Sequence, residues 1–179
     1  IGLLVVITLR FTNEQGRRDA VTIARLQWES DTDLSTCTYN KGKYEEMIKN
    51  YYPKVGRVAV IFWDVDNLKT INDTFGHHIG DVYIKKLADA IGTFSNNSRI
   101  KIFRIGGDEF VMIIESPDEN EPENIIEYVQ KTLDLDDLRG NSISASSGSS
   151  IGFGYLIEEV VSEADSNMYF NKKKRKSGI

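Results

Sequence analysis

The stretch from Val58 to Trp63 is an unbroken apolar run that leads directly into Asp64. A strand with one wet face alternates apolar and polar residues. An unbroken run instead marks a central strand covered on both faces. The chain must therefore supply a layer on each side of that strand. With 179 residues and 40% apolar content it has the material for one domain and a short extra segment.

The flanking patterns supply those layers. Asn40 caps a helix with Tyr44, Met47, Ile48 and Tyr51 on one face, closed by Pro53 and Gly56. After a polar loop, Ile84, Leu87, Ala88 and Ile91 mark another helix. Ile100 to Ile105 and the segment through Val111, Ile113 and Ile114 read as two strands. Gly106–Gly107 between them predicts a tight hairpin whose turn residues both need positive φ. Ile125, Ile126, Val129 and Leu133 give a further helix, and Ile143 to Leu156 a Ser/Gly-rich strand region. The last helix carries Val161, Ala164 and Met168 and ends in a basic run. This order predicts an α/β fold with a mixed, largely antiparallel central sheet flanked by helices, not a regular Rossmann alternation. Phe62, Trp63, Phe103 and Phe110 are its expected core aromatics.

The N-terminal end is less regular. Ile1 to Leu9 is nearly all apolar but too short to span a bilayer. It is either the tail of a transmembrane helix or, since Val5, Val6 and Ile7 are β-branched, a buried strand, which is the preferred reading. Residues 13 to 30 contain no Pro, and Val21, Ala24 and Trp28 fall at heptad-like spacing. A linker helix follows, as a coiled coil or as an ordinary amphipathic helix. The turn-like cluster Ser30 to Thr36 separates it from the rest. The net charge of −5 offers no basic field for nucleic acid or for direct contact with an anionic membrane. A single cysteine, Cys37, excludes an internal disulfide and makes a reducing, cytoplasmic setting the simpler expectation, with a membrane-tethered parent protein left open.

Asp64 and Asp66 lie just past the buried strand, and Asp108 and Glu109 at the tip of the hairpin expected beside it. Four carboxylates at one sheet edge repel each other, and a hard divalent cation with oxygen ligands, such as Mg²⁺, resolves that repulsion. Acidic turn residues are more often simply solvated, so this cluster alone does not decide the chemistry.

The local sequence adds to it. Gly106-Gly107-Asp108-Glu109-Phe110 resembles the signature of the GGDEF family of diguanylate cyclases. Asp64-Val65-Asp66-Asn67-Leu68-Lys69-Thr70-Ile71-Asn72-Asp73, then Gly76-His77 and Gly80-Asp81, resembles the family's DxDxFKxIND…GHxxGD segment. Ala164-Asp165, Met168-Tyr169, Lys172 and Lys176 resemble its ADxALYxAKxxGRN ending. The resemblance implies a nucleotidyl-cyclase or polymerase-palm-like fold. It also implies condensation of two GTP molecules into cyclic di-GMP by a homodimer, with two Mg²⁺ ions per site and Mn²⁺ as a possible substitute. Asp64, the Val65 carbonyl and Asp108 would hold metal. Asp108 would also be the base on the attacking 3′-hydroxyl, Glu109 would support the site and Lys69 would steady phosphate charge. Asn72 and Asp81 would read the guanine. The main-chain N–H groups of Asn67 and Leu68, with Lys172 and Lys176, would hold the β- and γ-phosphates. The organisation it implies is residues 1–12 as the end of an upstream sensor or membrane segment, 13–32 as linker helix and 33–179 as GGDEF catalytic domain. Ile1 to Arg18 loosely resembles the end of a PAS sensor, with Arg10 in place of the usual Asp.

Plainer readings stand beside these. The run Lys172 to Lys176 also fits a solvated helix end or a nucleic-acid patch. His77 and His78 fit a loop, and Gly76 and Gly80 fit turns. Two rivals remain: a catalytically weak GGDEF domain that binds GTP or a partner protein, and a different nucleotidyl cyclase or palm enzyme. There are departures as well. Of the DxLTGLxNR entrance only Asp33, Thr36 and Asn40 remain, the usual FK is Leu68-Lys69, and the usual C-terminal Arg is Lys176, which loses bidentate phosphate binding. Asn97 and Ile100 occupy the RxxD positions of the family's product-inhibition site, so that site is expected to be absent, and Arg99 reads as a solvated residue before a strand.

Overall fold

The computed structural model describes residues 2–134, 137–138 and 141–177, with side chains from 15 to 134 and from 143 to 175. The chain divides into two units, Ile1–Thr32 and Asp33–Ile179.

The first unit is one helix, α1 (Gly2–Asp31). The strand expected over Ile1 to Leu9 does not form; from Gly2 onward that stretch is the start of α1. A helix satisfies its backbone within itself, whereas a strand needs a sheet edge to pair with. The face marked by Val21 and Trp28 is exposed, at 70% and 52%. Among the described residues no helix is long and apolar enough to cross a membrane.

The second unit is built on a six-stranded sheet. Its strands are β1 (Thr32–Asp33), β2 (Thr38–Tyr39), β3 (Arg57–Val65), β4 (Ile100–Arg104), β5 (Glu109–Glu115) and, after the small pair β6 (Asp137–Leu138) and β7 (Asn141–Ser142), β8 (Ala145–Phe153). They lie in the order β1-β2-β4-β5-β3-β8. β3 runs antiparallel to both neighbours, β5 and β8, and β2–β4 is a parallel pair. The helices are α2 (Lys41–Asn50), α3 (Leu68–Phe75), α4 (His77–Gly92), α5 (Glu121–Asp134) and α6 (Ile157–Ser177). This is the mixed, largely antiparallel α/β sheet that the pattern implied.

The apolar run of β3 is explained by two cores. Ala59, Ile61, Trp63 and Val65 enter one, with Leu87 and Ile91 of α4 and Val129 and Leu133 of α5. Val58, Val60 and Phe62 enter the other, with Met47 of α2 and Val160, Ala164 and Met168 of α6. Phe62, Trp63, Phe103 and Phe110 are all buried. Because alternate residues face opposite sides, Asp64 shares its face with Phe62 and therefore with α6.

Several local expectations are corrected. The polar loop after Asp66 contains α3, a helix of eight residues with none fully buried, entered through Asn67 at φ 56°. Gly76 is a turn glycine, at φ 85° between α3 and α4. Gly80 is not: it lies inside α4, where a Cβ would run into Oδ1 of Asn72. His77 and His78 open α4 rather than a loop. Gly106 and Gly107 do not take positive φ, because Ile105 to Asp108 form a wider connection than a two-residue turn. Gly106 is needed for another reason, since a Cβ there would overlap the Glu109 carboxylate. Strand β8 ends at Phe153 and gives way to a 3₁₀ turn, Gly154–Leu156.

β8 is an edge strand, and α6 seals it. Arg175 donates to the Ala145 carbonyl, Asn171 to Ser147 and Asn167 to Ser149, each at 2.9 Å. Steps of four along a helix rise about 6 Å and steps of two along a strand about 6.6 Å, so the two series stay in phase.

Candidate active site

Asp64 on β3 pairs directly with Glu109 on β5. One residue further, the Val65 N–H donates to the Asp108 carbonyl at 3.2 Å. A strand residue directs its N–H and C=O to the same side, so the Val65 carbonyl faces the hairpin that carries Asp108. The three expected metal-site residues are thus brought to one end of the central strands, with Glu109 beside them.

Helix α6 delivers the countercharge. Val160, Ala164 and Met168 form its buried stripe, and Lys172 is the next residue at the same four-residue spacing. Its ammonium donates to Asp64 Oδ1 at 2.5 Å, with side-chain exposures of 20% and 13%. The plain solvated-end reading of the basic run therefore fails at Lys172. Its contact is an ion pair with the carboxylate. Lys176 lies on α6 as expected, but its side chain is outside the described residues.

The electrostatics follow. Burial raises the Asp64 carboxyl above its ordinary value; the Lys172 bond opposes this, and the charges of Asp108 and Asp66 add to it. Glu109 is raised by burial, then by Asp108, Asp64 and Asp165, against Lys172.

Asp66 does not join the cluster as a free ligand. Its carboxylate, 9% exposed, accepts from Ser144 Oγ at 2.6 Å and Ser146 Oγ at 2.7 Å, with Arg175 at 3.5 Å. Sequence reasoning missed Arg175; a cation three residues after a buried-stripe lysine was its only signal.

Across the turn, Asn67 caps α3 in the left-handed conformation and Leu68 begins the helix. Lys69 is exposed on α3. Asn72 packs against Gly80, and its Oδ1 is buried with no hydrogen-bond partner. Asp81, next to Gly80, is exposed on α4. The two expected guanine readers thus stand on adjacent, mutually packed helices.

The donor set fits a hard cation. Among the described residues no three His, Cys, Asp or Glu side chains converge as a closed metal cage. Mg²⁺ usually takes only one or two carboxylates and completes its shell with substrate phosphates and water. Two carboxylates and a carbonyl, all oxygen donors, match that demand.

The residues of the inhibition site are also placed. Asn97 accepts from the backbone N–H of Arg99 at 3.0 Å, and Ile100 is buried. Arg99 is not merely solvated: its guanidinium pairs with Glu121 at 2.8 Å and donates to the carbonyls of Glu115 and Ser116.

An α/β domain with an acidic turn and hairpin at one sheet end, met by the basic end of a helix, is the class that this geometry defines. The chain belongs to the GGDEF family, described as "Diguanylate cyclase, GGDEF domain", over residues 30–178. It is similar to MucR of Pseudomonas aeruginosa, a bifunctional diguanylate cyclase/cyclic di-GMP phosphodiesterase. The identity is 31% over 141 residues, covering 76% of this chain and 20% of MucR. It is also similar to the diguanylate cyclase DgcN of Escherichia coli, 35% identical over 65% of this chain and 30% of that protein. The chain thus spans a third or less of the length of these relatives. Among solved structures, the coiled coil and GGDEF domain of DgcB from Caulobacter crescentus, in complex with c-di-GMP, superposes with TM-score 0.78 at 20% identity. That match covers 97% of this chain and 95% of DgcB's.

Proposed function

We propose that this domain condenses two GTP molecules into cyclic di-GMP. The observation that carries the reading is the register of Asp64 opposite Glu109, with the Val65 backbone bonded to Asp108 and Lys172 reaching in from α6. Asp64, the Val65 carbonyl and Asp108 would hold Mg²⁺, or Mn²⁺ in its place. The metal, when bound, would neutralise charge on the attacking and leaving oxygens. Lys172 would then release Asp64 and turn, with Lys176, to the β- and γ-phosphates. The N–H groups of Asn67 and Leu68 at the start of α3 would meet the same phosphates, and exposed Lys69 would steady their charge.

The unpartnered Asn72 Oδ1 would accept from the guanine edge, and Asp81 from its N1–H and amino group. Adenine lacks that donor pattern. In each half-reaction a 3′-oxygen would attack the α-phosphorus of the other GTP. A P–O bond forms, the bond to the bridging α–β oxygen breaks, and pyrophosphate leaves. Asp108 would accept the hydroxyl proton, and Glu109 would hold the hairpin carboxylates in place. One domain carries one set of these residues, so two copies must face each other. An upstream segment, a sensor or membrane piece, would act through α1 by changing how often they meet.

Incubation with GTP and Mg²⁺ at high protein concentration, followed by mass analysis, tests this. Cyclic di-GMP and pyrophosphate are expected. Binding of GTP without product would make the domain a nucleotide-binding module instead.

A further inference from the structure

The basic end of α6 carries a second cation whose contacts the proposed chemistry does not use. Arg175 donates to Gln130 Oε1 on α5 at 2.8 Å and to the Ala145 carbonyl on β8 at 2.9 Å, and lies 3.5 Å from Asp66 Oδ2. One planar guanidinium thus joins α5, the start of β8 and the turn after β3. Asp66 is in turn fixed at both ends: its carboxylate takes the Ser144 and Ser146 hydroxyls, and its N–H donates to the Ser144 carbonyl at 2.9 Å. Asp66 directly follows Val65, whose carbonyl would be a metal ligand, and stands two residues from Asp64. The ADxALYxAKxxGRN ending that this segment resembles has Gly where this chain has Arg175.

We propose that Arg175 is a positioning residue: it acts through Asp66 to hold the Asp64-Val65-Asp66 turn in the conformation that receives a divalent cation. The inference rests on the metal site of the proposed function. It makes a claim of definite sign. Coulomb's law alone says that deleting a cation beside Asp66 tightens metal binding. Positioning says that metal binding weakens, because an outer partner that orients the ligands is lost. Losses of that kind run to tenfold or a hundredfold in metal affinity.

The test is a Mn²⁺ titration followed by electron paramagnetic resonance, with a GTP analogue whose α–β bridge is a methylene group, so that no condensation occurs. Arg175→Ala and Arg175→Gln are compared with the parent, each checked for folding by circular dichroism. Weakening of Mn²⁺ by about tenfold or more is expected, together with a matching rise in the Mg²⁺ needed for half-maximal turnover. In an Asp66→Asn background, Arg175→Ala should add nothing further, because the partner through which it acts is gone. Arg175→Lys, which keeps the charge but not the fork, covers the case in which the smaller variants unfold, and should also weaken Mn²⁺. Unchanged or tighter Mn²⁺ binding in the folded variants, or no Mn²⁺ binding by the parent, overturns the inference. A parent that binds Mn²⁺ in the expected pattern but makes no cyclic product overturns the proposed turnover alone.

Discussion

Arg104 donates to both carboxylate oxygens of Asp33, at 3.2 and 3.3 Å, and to the Gly107 carbonyl at 2.7 Å. It thereby ties the first residue of the sheet-bearing unit to the loop that presents Asp108 and Glu109. Asp33 also accepts from Ser35 Oγ and Thr36 Oγ1, Thr36 Oγ1 meets Thr38 Oγ1, and Asn40 caps α2. The few residues kept from the family's entrance pattern are those that make these bonds. The entrance is sound although most of its usual letters are gone.

Burial alone would raise the Asp33 carboxyl. The Ser35 and Thr36 hydrogen bonds and the Arg104 charge outweigh it and bring it below its ordinary 3.8. A depressed carboxyl contributes stability above its unfolded value and loses it as pH falls through the folded one. The melting temperature of the parent should therefore exceed that of Asp33→Asn at neutral pH, with the gap closing below about pH 4. A gap that is constant down to pH 2.5 would show that the ion pair contributes nothing.

Asp64→Asn should leave a folded domain with turnover lower by roughly a thousandfold or more, since the proposed metal ligand is lost. Its carboxyl is raised chiefly by burial, so a neutral Asn avoids that cost but leaves Lys172 without its charged partner, and the metal-free stability should change little. Steady-state pyrophosphate release and a urea melt measure the two together. Near-normal release would remove Asp64 from the site.

Gly106→Ala should separate stability from activity. The new Cβ overlaps the Glu109 carboxylate, which can swing away, and lies 3.2 Å from the Glu109 Cβ, which can give only slightly, so the urea midpoint should fall modestly. The displaced Glu109 should lower the turnover number by tenfold or so, about 1.4 kcal/mol of barrier. A large drop in stability with normal specific activity would reverse this account.

Asp81→Ala should raise the Michaelis constant for GTP and weaken rejection of ATP by about 1–3 kcal/mol, the cost of an unmet guanine donor. Competition between GTP and ATP reads this directly. Unchanged selectivity would leave the base to Asn72 alone.

Cyclic di-GMP should not bind tightly in front of the hairpin. Asn97 has no charge, Ile100 has no acceptor, and the Arg99 guanidinium is already held by Glu121 and two carbonyls. Calorimetric titration into an inactive Asp64→Asn variant should show no submicromolar site. Such a site, lost in Arg99→Ala, would contradict this.

The sheet, its two cores and the meeting of Asp64 with the hairpin were legible because each rests on a long periodic signal. Val58 to Trp63 has no alternation, and three motif blocks flank one strand end. What stayed hidden was local or cross-chain. α3 is too short and too exposed to leave a strong stripe, and Ile1 to Leu9 carries strand-like residues that only a neighbouring sheet could use. Gly106 could be placed in a turn, but its steric reason depends on where Glu109 points. The Arg175 contacts join residues 30, 45 and 109 positions apart, a distance at which no local pattern helps.

The amide ladder from Asn167 and Asn171 to the carbonyls of β8 bears on how copies of this domain encounter each other. The proposed condensation of two nucleotides would need two copies to approach, react and part. A bare sheet edge would let approaching copies add strand to strand and stay joined. With the carbonyls of Ala145, Ser147 and Ser149 taken by its own helix, the first half of β8 offers an incoming chain few acceptors to zip onto. On that proposal, contact would be left to the faces that carry substrate, and each meeting could end.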